Sequence, residues 1–366
     1  MIRLIVTVVF ALLAVVLPLA GDYLAGGTAE LYARFPAVEA HARASFQWPA
    51  FFMYAVIILG VLAPIVWRIV SVAPVRARSG SARPFPWWGW AAVAFTAAAW
   101  LLAWTRFAWF APLQPHTFTP LWLGYIIVVN ALGFRRHGRC PMLDRPACFA
   151  ALFPASAIFW WYFEYLNRFV GNWHYVGVES LDAFEYFVHA SVSFSTVLPA
   201  VLSTKAWLSS FPRLQVALSD CWPVSAADSR AVAWTLLMLG ATGFAALGAW
   251  PRSLYSMVWL APALTLLPLQ ALDGRPNLLT DIARGDWRGA GLAALAALAC
   301  GLFWEMWNQY SLAHWEYSIP LVHGFLLFQM PLLGYAGYLP FGIVCIAVAD
   351  FVYAPDRAGP TGTGVK

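Results

Sequence analysis

The chain has 366 residues, 61% of them hydrophobic and only 11% charged, with 21 Trp and 26 Phe. A water-soluble domain carries roughly 25% charged residues, so this composition excludes a globule covered by polar surface and turns most of the outside toward lipid. The net charge of +5 comes with no basic helix and no RNA-binding signature. The Arg residues lie in short loops between apolar runs, which sets nucleic acid aside as a partner.

Ten apolar segments meet or approach the ~20 residues that cross ~30 Å of hydrocarbon. Ile2 to Ala20 comes first. Pro18-Leu19-Ala20 resembles a signal-peptide cleavage site, but the run is long for a signal and nine more spans follow, so a retained first span is expected. Residues 21–48 read as an exported polar loop with a short amphipathic helix, and Pro49 to Val72 is span two. Spans three to six are Trp87–Thr105, Thr119–Phe134, Pro146–Asn167 and Phe184–Ser203. A longer polar connection, 205–230, leads to spans seven to ten: Ala231–Trp250, Leu254–Leu272, Ala290–Tyr310 and Phe328–Val352. The runs are continuously apolar rather than alternating, which selects helices over a barrel. The tail from Ala354 is rich in Gly and Pro and reads as disordered.

Orientation follows from Lys and Arg. With the N-terminus inside, 17 of the 22 fall on the inner side, leaving Arg34, Arg43, Arg106, Arg168 and Arg252 outside. The expected location is a bacterial cytoplasmic (inner) membrane with both termini in the cytoplasm. Cys140, Cys148, Cys221, Cys300 and Cys345 show no CxxC or other metal-ligand spacing and read as free thiols.

One phrase occurs twice. Glu164 and Asn167 lie in an aromatic run followed by Trp173-His174-Tyr175; Glu305 and Asn308 lie in another, followed by Trp315-Glu316-Tyr317. The two glutamates are 141 residues apart. Further pairs keep the same order: Trp104 with Trp250, Arg106 with Arg252, Trp122 with Trp259, Phe184-Glu185 with Phe328-Gln329, and Pro199 with Pro340. The expected fold is therefore an all-α integral membrane protein of about ten transmembrane helices, with two N-terminal spans and then two parallel four-helix repeats related by an axis along the membrane normal. The corresponding divisions are 1–85 for the two spans with their outer loop, 86–205 for repeat 1, 206–230 for a cytoplasmic connection, 231–353 for repeat 2 and 354–366 for the tail.

Glu and Asn at i and i+3 share a helix face, and an ionisable group inside a span normally faces protein or water. One expectation is a brace, in which each pair binds backbone amides or Trp N–H groups of its own outer loop. The other is a pocket at the repeat interface, open to the outer leaflet. In it Glu164 and Glu305 would be catalytic, one holding a proton and acting as general acid while the other stabilised positive charge, since two carboxylates pushed together do not both ionise. Asn167, Asn308, Trp173, Trp315, Tyr175, Tyr317, Glu185 and Gln329 would contact the substrate. That chemistry suits protonation of an isoprenoid double bond or a similar lipophile drawn from membrane lipids. A transporter of a small solute or ion, and an assembly protein without a small ligand, are the competing classes; the inner halves of spans five and nine carry no repeated acid or amide, which favours a one-sided site. No cofactor fingerprint occurs, there being no GxSxG, Walker A or Rossmann glycine pattern, and no HExxH or other metal motif. Nothing in the sequence sets an oligomeric state. Gly240, Gly243, Gly334 and Gly337 read as small-residue helix contacts in lipid.

Trp173-His174-Tyr175 followed by Phe184-Glu185-Tyr186-Phe187 resembles a short stretch of the polytopic lycopene cyclase-like carotenoid proteins, which are also built from membrane-span repeats. The resemblance implies a lipophilic substrate. The adjacent acidic pair after a proline that marks that family is missing, since the matching positions are Asp182-Ala183-Phe184-Glu185.

Overall fold

A computed structural model describes residues 2–27, 35, 45–73, 83–274 and 277–353. Most of the outer loop expected to hold an amphipathic helix, and the tail from Ala354, lie outside the described residues. Among the described residues eight helical segments are long and apolar enough to cross a membrane, with 183–208 and 332–352 each counted as one; two shorter apolar helices accompany them, and sheet is confined to two small ribbons. The protein is an all-α membrane protein. All five cysteines are free thiols.

The helices are α1 (Ile2–Leu24), α2 (Trp48–Ser71), α3 (Trp87–Trp104), α4 (Phe118–His137), α5 (Pro141–Asp144), α6 (Pro146–Val170), α7 (Ala183–Phe194), α8 (Val197–Leu208), α9 (Pro212–Ser219), α10 (Arg230–Ala249), α11 (Pro251–Leu254), α12 (Met257–Leu272), α13 (Leu278–Ala283), α14 (Arg288–Asn308) and α15 (Tyr338–Val352). Local signals set their ends. Pro146 opens α6, where its missing N–H costs nothing. Gly171 closes that helix in the left-handed region at φ 58°, which a glycine adopts freely. Asp182 caps α7 by accepting from the backbone N–H groups of Phe184 and Glu185.

The sixth apolar run differs from expectation. It is two helices, α7 and α8, with a break at 195–196. Pro199, the third residue of α8, has no N–H to carry the ladder back across the break. Ser156 of α6 fills in: its Oγ donates to the Phe194 carbonyl at 2.6 Å and accepts from Leu198 N at 3.0 Å. Backbone groups freed inside a membrane need such a partner. The tenth run is also broken. A ribbon, β3 (Leu326–Leu327) with β4 (Met330–Pro331), and a 3-10 turn over Leu332–Gly337 precede α15. Pro340 is again the third residue of the helix that follows.

The packing is close where small residues meet. A Cβ on Gly248 would lie 2.0 Å from the Pro18 carbonyl of α1, and one on Gly240 would lie 2.4 Å from Thr265 Oγ1 of α12. Gly243 also faces α12, whereas Gly334 and Gly337 face the side chains of Met330 and Trp259 rather than another helix backbone. The core is aromatic at its centre. Trp122, Phe163, Phe244 and Phe341 are its largest fully buried side chains.

Helix α2 stands apart from this core, with no buried residue along its 24. It is held at its ends. At its N-terminal end Gln47 N donates to the Leu321 carbonyl at 2.8 Å, and Trp48 and Phe51 meet Phe325. At its C-terminal end Arg213 donates to the carbonyls of Ile69 and Val70 at 2.9 and 2.6 Å.

Candidate functional site

The two copies of the repeated phrase meet. Strand β1 (Trp173–Val176) pairs antiparallel with β2 (His314–Tyr317), setting Trp173 opposite Tyr317 and Tyr175 opposite Trp315. Each strand is tied to the end of the helix before it by the repeated asparagine. Asn167 Nδ2 donates to the Trp173 carbonyl at 2.7 Å while its Oδ1 accepts from Asn172 N and Trp173 N at 2.8 and 3.3 Å. Asn308 makes the matching bonds with Trp315, 2.7 Å to the carbonyl and 2.8 Å from the amide. A side-chain amide thus completes the backbone hydrogen bonding of a strand that has no second neighbour.

The glutamates hold the same strands by their side chains. Glu164 Oε1 accepts from Trp160 Nε1 at 2.9 Å, Trp173 Nε1 at 3.0 Å and the Tyr175 hydroxyl at 2.6 Å. Glu305 Oε1 accepts from the hydroxyls of Tyr317 at 2.6 Å and Tyr338 at 2.7 Å. Trp315 Nε1 reaches the Tyr317 oxygen, 2.8 Å away, instead of the carboxylate. Glu305 is fully buried and its Oε2 has no partner. Burial, and after it the nearby carboxylate, push the phenols of Tyr175 and Tyr317 well above their ordinary values, so both remain hydroxyl donors.

Aromatic packing is reciprocal. Trp122 of α4 lies against Trp304 of α14, centroids 4.8 Å apart, and Trp259 of α12 lies against Phe163 of α6 at 5.2 Å. Trp304 and Phe163 are each the residue before a repeated glutamate. Phe341 sits between the two sets, 5.5 Å from Phe163 and 6.2 Å from Trp304.

Beneath the ribbon lies a cavity of about 690 Å³, within the ~300–1,000 Å³ usual for small-molecule sites. Trp173, Tyr175, Trp315 and Tyr317 form its roof, Trp160, Trp259, Trp304 and Tyr338 its middle, and α2 one long side. No Arg, Lys, Asp or Glu lines it among the described residues. Glu164 and Glu305 therefore stand one layer behind the wall, screened by the tyrosines and tryptophans they bind. Eight of the ten residues named from the sequence build the roof (Trp173, Trp315, Tyr175, Tyr317) or its supports (Asn167, Asn308, Glu164, Glu305).

Glu185 and Gln329 do not join them. Glu185 is exposed, and its Oε2 accepts from Asp182 N at 3.0 Å, completing the capping box of α7. Gln329 occupies the tight turn between β3 and β4 and does not line the cavity. Glu185 thus serves a helix cap and Gln329 a turn.

Sequence reasoning missed Trp160, Tyr338, Asn172 and the α2 wall. Trp160 carried a usable signal, standing one helical turn before Glu164. Tyr338 carried none, because its match 141 positions earlier is Val197.

Protein families, curated proteins and solved structures were each compared with the chain, and none matches it.

Proposed function

We propose that this is a polytopic inner-membrane protein that binds a lipophilic molecule, a lipid or an isoprenoid, in the cavity roofed by the two Trp-x-Tyr strands. The observation that carries the reading is the lining: a large, almost wholly apolar chamber with aromatic walls, in a chain whose surroundings are lipid. An apolar void of that size is costly when empty, and hydrocarbon is the solvent at hand.

In this reading the chain has ten spans, two followed by two parallel repeats of four, and the cavity straddles the axis between the repeats. The reciprocal stacking of Trp122 on Trp304 and Trp259 on Phe163 supports the symmetry, since a twofold relation makes residue i of one half meet residue j of the other and the reverse. The broken sixth and tenth runs, each resuming with proline in third place, support it too. The bias of Lys and Arg supports cytoplasmic termini and a ribbon on the outer side.

Glu164 and Glu305 act here through the aromatic side chains that they fix. Chemistry on the bound lipophile is the second reading, and one observation favours it. Tyr338 both lines the cavity and donates to Glu305, so the hydroxyl links the chamber to a buried carboxyl able to give or take a proton.

The test is mass spectrometry of organic extracts from protein purified in mild detergent. Wild type should carry a defined lipophile in near-stoichiometric amount, and Val197→Phe, which fills the chamber from α8, should lose it at equal protein abundance. Identical extracts from the two proteins, differing from neither bulk membrane lipid nor each other, would remove the pocket reading.

A further inference from the structure

Resting on the pocket reading, we infer that the occupant is an uncharged long-chain alcohol, a single hydrocarbon chain ending in a hydroxyl, bound with its tail along α2 and its hydroxyl donated to Asn172.

The tail end is argued from α2. Met53, Ile57, Val61 and Ile65 face the cavity along one stripe of that helix, and α2 touches the bundle through its two ends. From Met53 to Ile65 the stripe rises through twelve residue steps, or roughly 18 Å at 1.5 Å per residue, against roughly 15 Å for the hydrocarbon of one leaflet. Across the gap stand Ala290 and Ala294 of α14, small side chains that leave a smooth wall. The space is the length and shape of one lipid tail, and the exposed outer face of α2 borders the bilayer from which such a tail would slip in.

The head end is argued from Asn172. Its backbone is fully engaged, N–H to Asn167 Oδ1 at 2.8 Å and carbonyl to Ser318 N at 2.8 Å. Its side chain lines the cavity and is only 3% exposed, yet its Oδ1 has no partner. A buried amide oxygen without a donor is costly, and the cavity is the free space it borders. In the register that sets Trp173 against Trp315 the answering position is His314, which also lines the cavity but turns its Nδ1 to the Leu312 carbonyl at 2.9 Å, so the free amide oxygen belongs to one side of the chamber and would orient the ligand.

Charge decides between an alcohol and its phosphate ester. A phosphate calls for Arg or Lys with several charge-assisted hydrogen bonds, and taking an ion out of water without them is prohibitive. The lining supplies no Arg or Lys. A hydroxyl asks only for an acceptor, and Asn172 offers one. Acyl-type and isoprenoid alcohols share this chemistry.

The experiment uses full-length protein in proteoliposomes with a long-chain alcohol carrying a diazirine in its tail. Photolabelled peptides are mapped, with oleyl alcohol, geranylgeraniol and oleyl phosphate as competitors. The expected result is saturable labelling on α2 between Met53 and Ile65 and on α14 near Ala294. At least one alcohol should compete about tenfold or more better than oleyl phosphate, and the better alcohol tells which tail is native. Asn172→Ala should weaken the alcohol about tenfold, the size of one neutral hydrogen bond, and leave oleyl phosphate unchanged. Ile58→Trp, on the wall of a helix that buries nothing, should abolish labelling in the cleft but not elsewhere. Equal or better competition by oleyl phosphate, or an alcohol affinity indifferent to Asn172, overturns the inference while leaving a lipophile pocket standing. Labelling that no competitor reduces, spread evenly over lipid-facing helices, overturns both.

Discussion

Glu164 and Glu305 occupy the same place in the two copies of the repeated phrase, yet each draws its donors from a different source. Around Glu164 the third donor is Trp160, one turn back on the same helix. The position equivalent to Trp160, 141 residues on, is Gly301, and a Cβ there would lie 2.3 Å from the Tyr338 ring. The ring therefore fills the place that Trp160 fills in the first half. The position equivalent to Tyr338 is in turn Val197, a smaller side chain that lines the cavity as Trp160 does. Trp–Val in one half and Gly–Tyr in the other are two solutions to one packing problem, each satisfying a buried carboxylate from the side that has space. What both halves keep is the Glu–Asn pair and its hold on the Trp-x-Tyr strand. What they vary is which helix closes the chamber: Tyr175 and Tyr317 each donate to a glutamate from the cavity wall, and Tyr338 adds a second such hydroxyl on Glu305.

The largest expected effect comes from exchanging one solution for the other. Gly301→Trp alone forces an indole into the space of Tyr338 and should destabilise by about 3 kcal/mol, at the upper end for overpacking. Gly301→Trp with Tyr338→Val installs the first half's arrangement and should recover most of that loss. Thermal unfolding of the purified proteins in one detergent checks it. If the double variant is no better than the single, the two positions do not compensate, and the equivalence of the halves at this point is lost.

A smaller contrast separates the donors. Tyr338→Phe leaves the fully buried Glu305 with Tyr317 as its one donor, whereas Trp160→Phe leaves Glu164 with two. A hydrogen bond to a charged group is worth about 1.5–3 kcal/mol, so Tyr338→Phe should cost about 2 kcal/mol and Trp160→Phe about 1 kcal/mol less. Unfolding midpoints decide the order. A readout beyond stability sharpens it: if Tyr338 passes a proton between chamber and carboxyl, Tyr338→Phe should keep the bound lipophile unaltered in amount while any chemistry on it stops, and Trp160→Phe should leave both intact.

This contrast also explains which parts were legible in the sequence. The apolar runs and the repeated phrase were readable because lipid demands continuous apolar helices and because a Glu–Asn spacing is conspicuous in an aromatic run, whereas the strand pairing of β1 with β2 was not. The breaks at 195–196 and before Tyr338 were hidden, since a proline near the start of a helix looks the same as one inside a long span. Half of the site was hidden for a different reason. Trp160 and Tyr338 do the same job from non-equivalent positions, so aligning the halves conceals both. Asn172 falls in the gap between the Glu–Asn pair and the Trp-x-Tyr strand, with no amide answering it in the second copy, and α2 lies outside the phrase; they announce themselves only through an unpartnered oxygen and an unburied helix.

The smallest expected effect concerns a residue that symmetry recommended and geometry reassigned. Glu185 matches Gln329 in sequence, but it caps α7 together with Asp182. A side chain that accepts one backbone N–H at an exposed helix start is worth about 1 kcal/mol or less. Asp182→Ala, which removes the acceptor of two N–H groups, should therefore cost about 1 kcal/mol. Glu185→Gln, which keeps a capping oxygen, should cost a few tenths at most. Neither should change the lipophile recovered with the protein, because neither side chain borders the cavity. A loss of bound lipophile in Glu185→Gln at unchanged stability would return Glu185 to the site and would mean that α7 opens farther toward the chamber than its capped start allows.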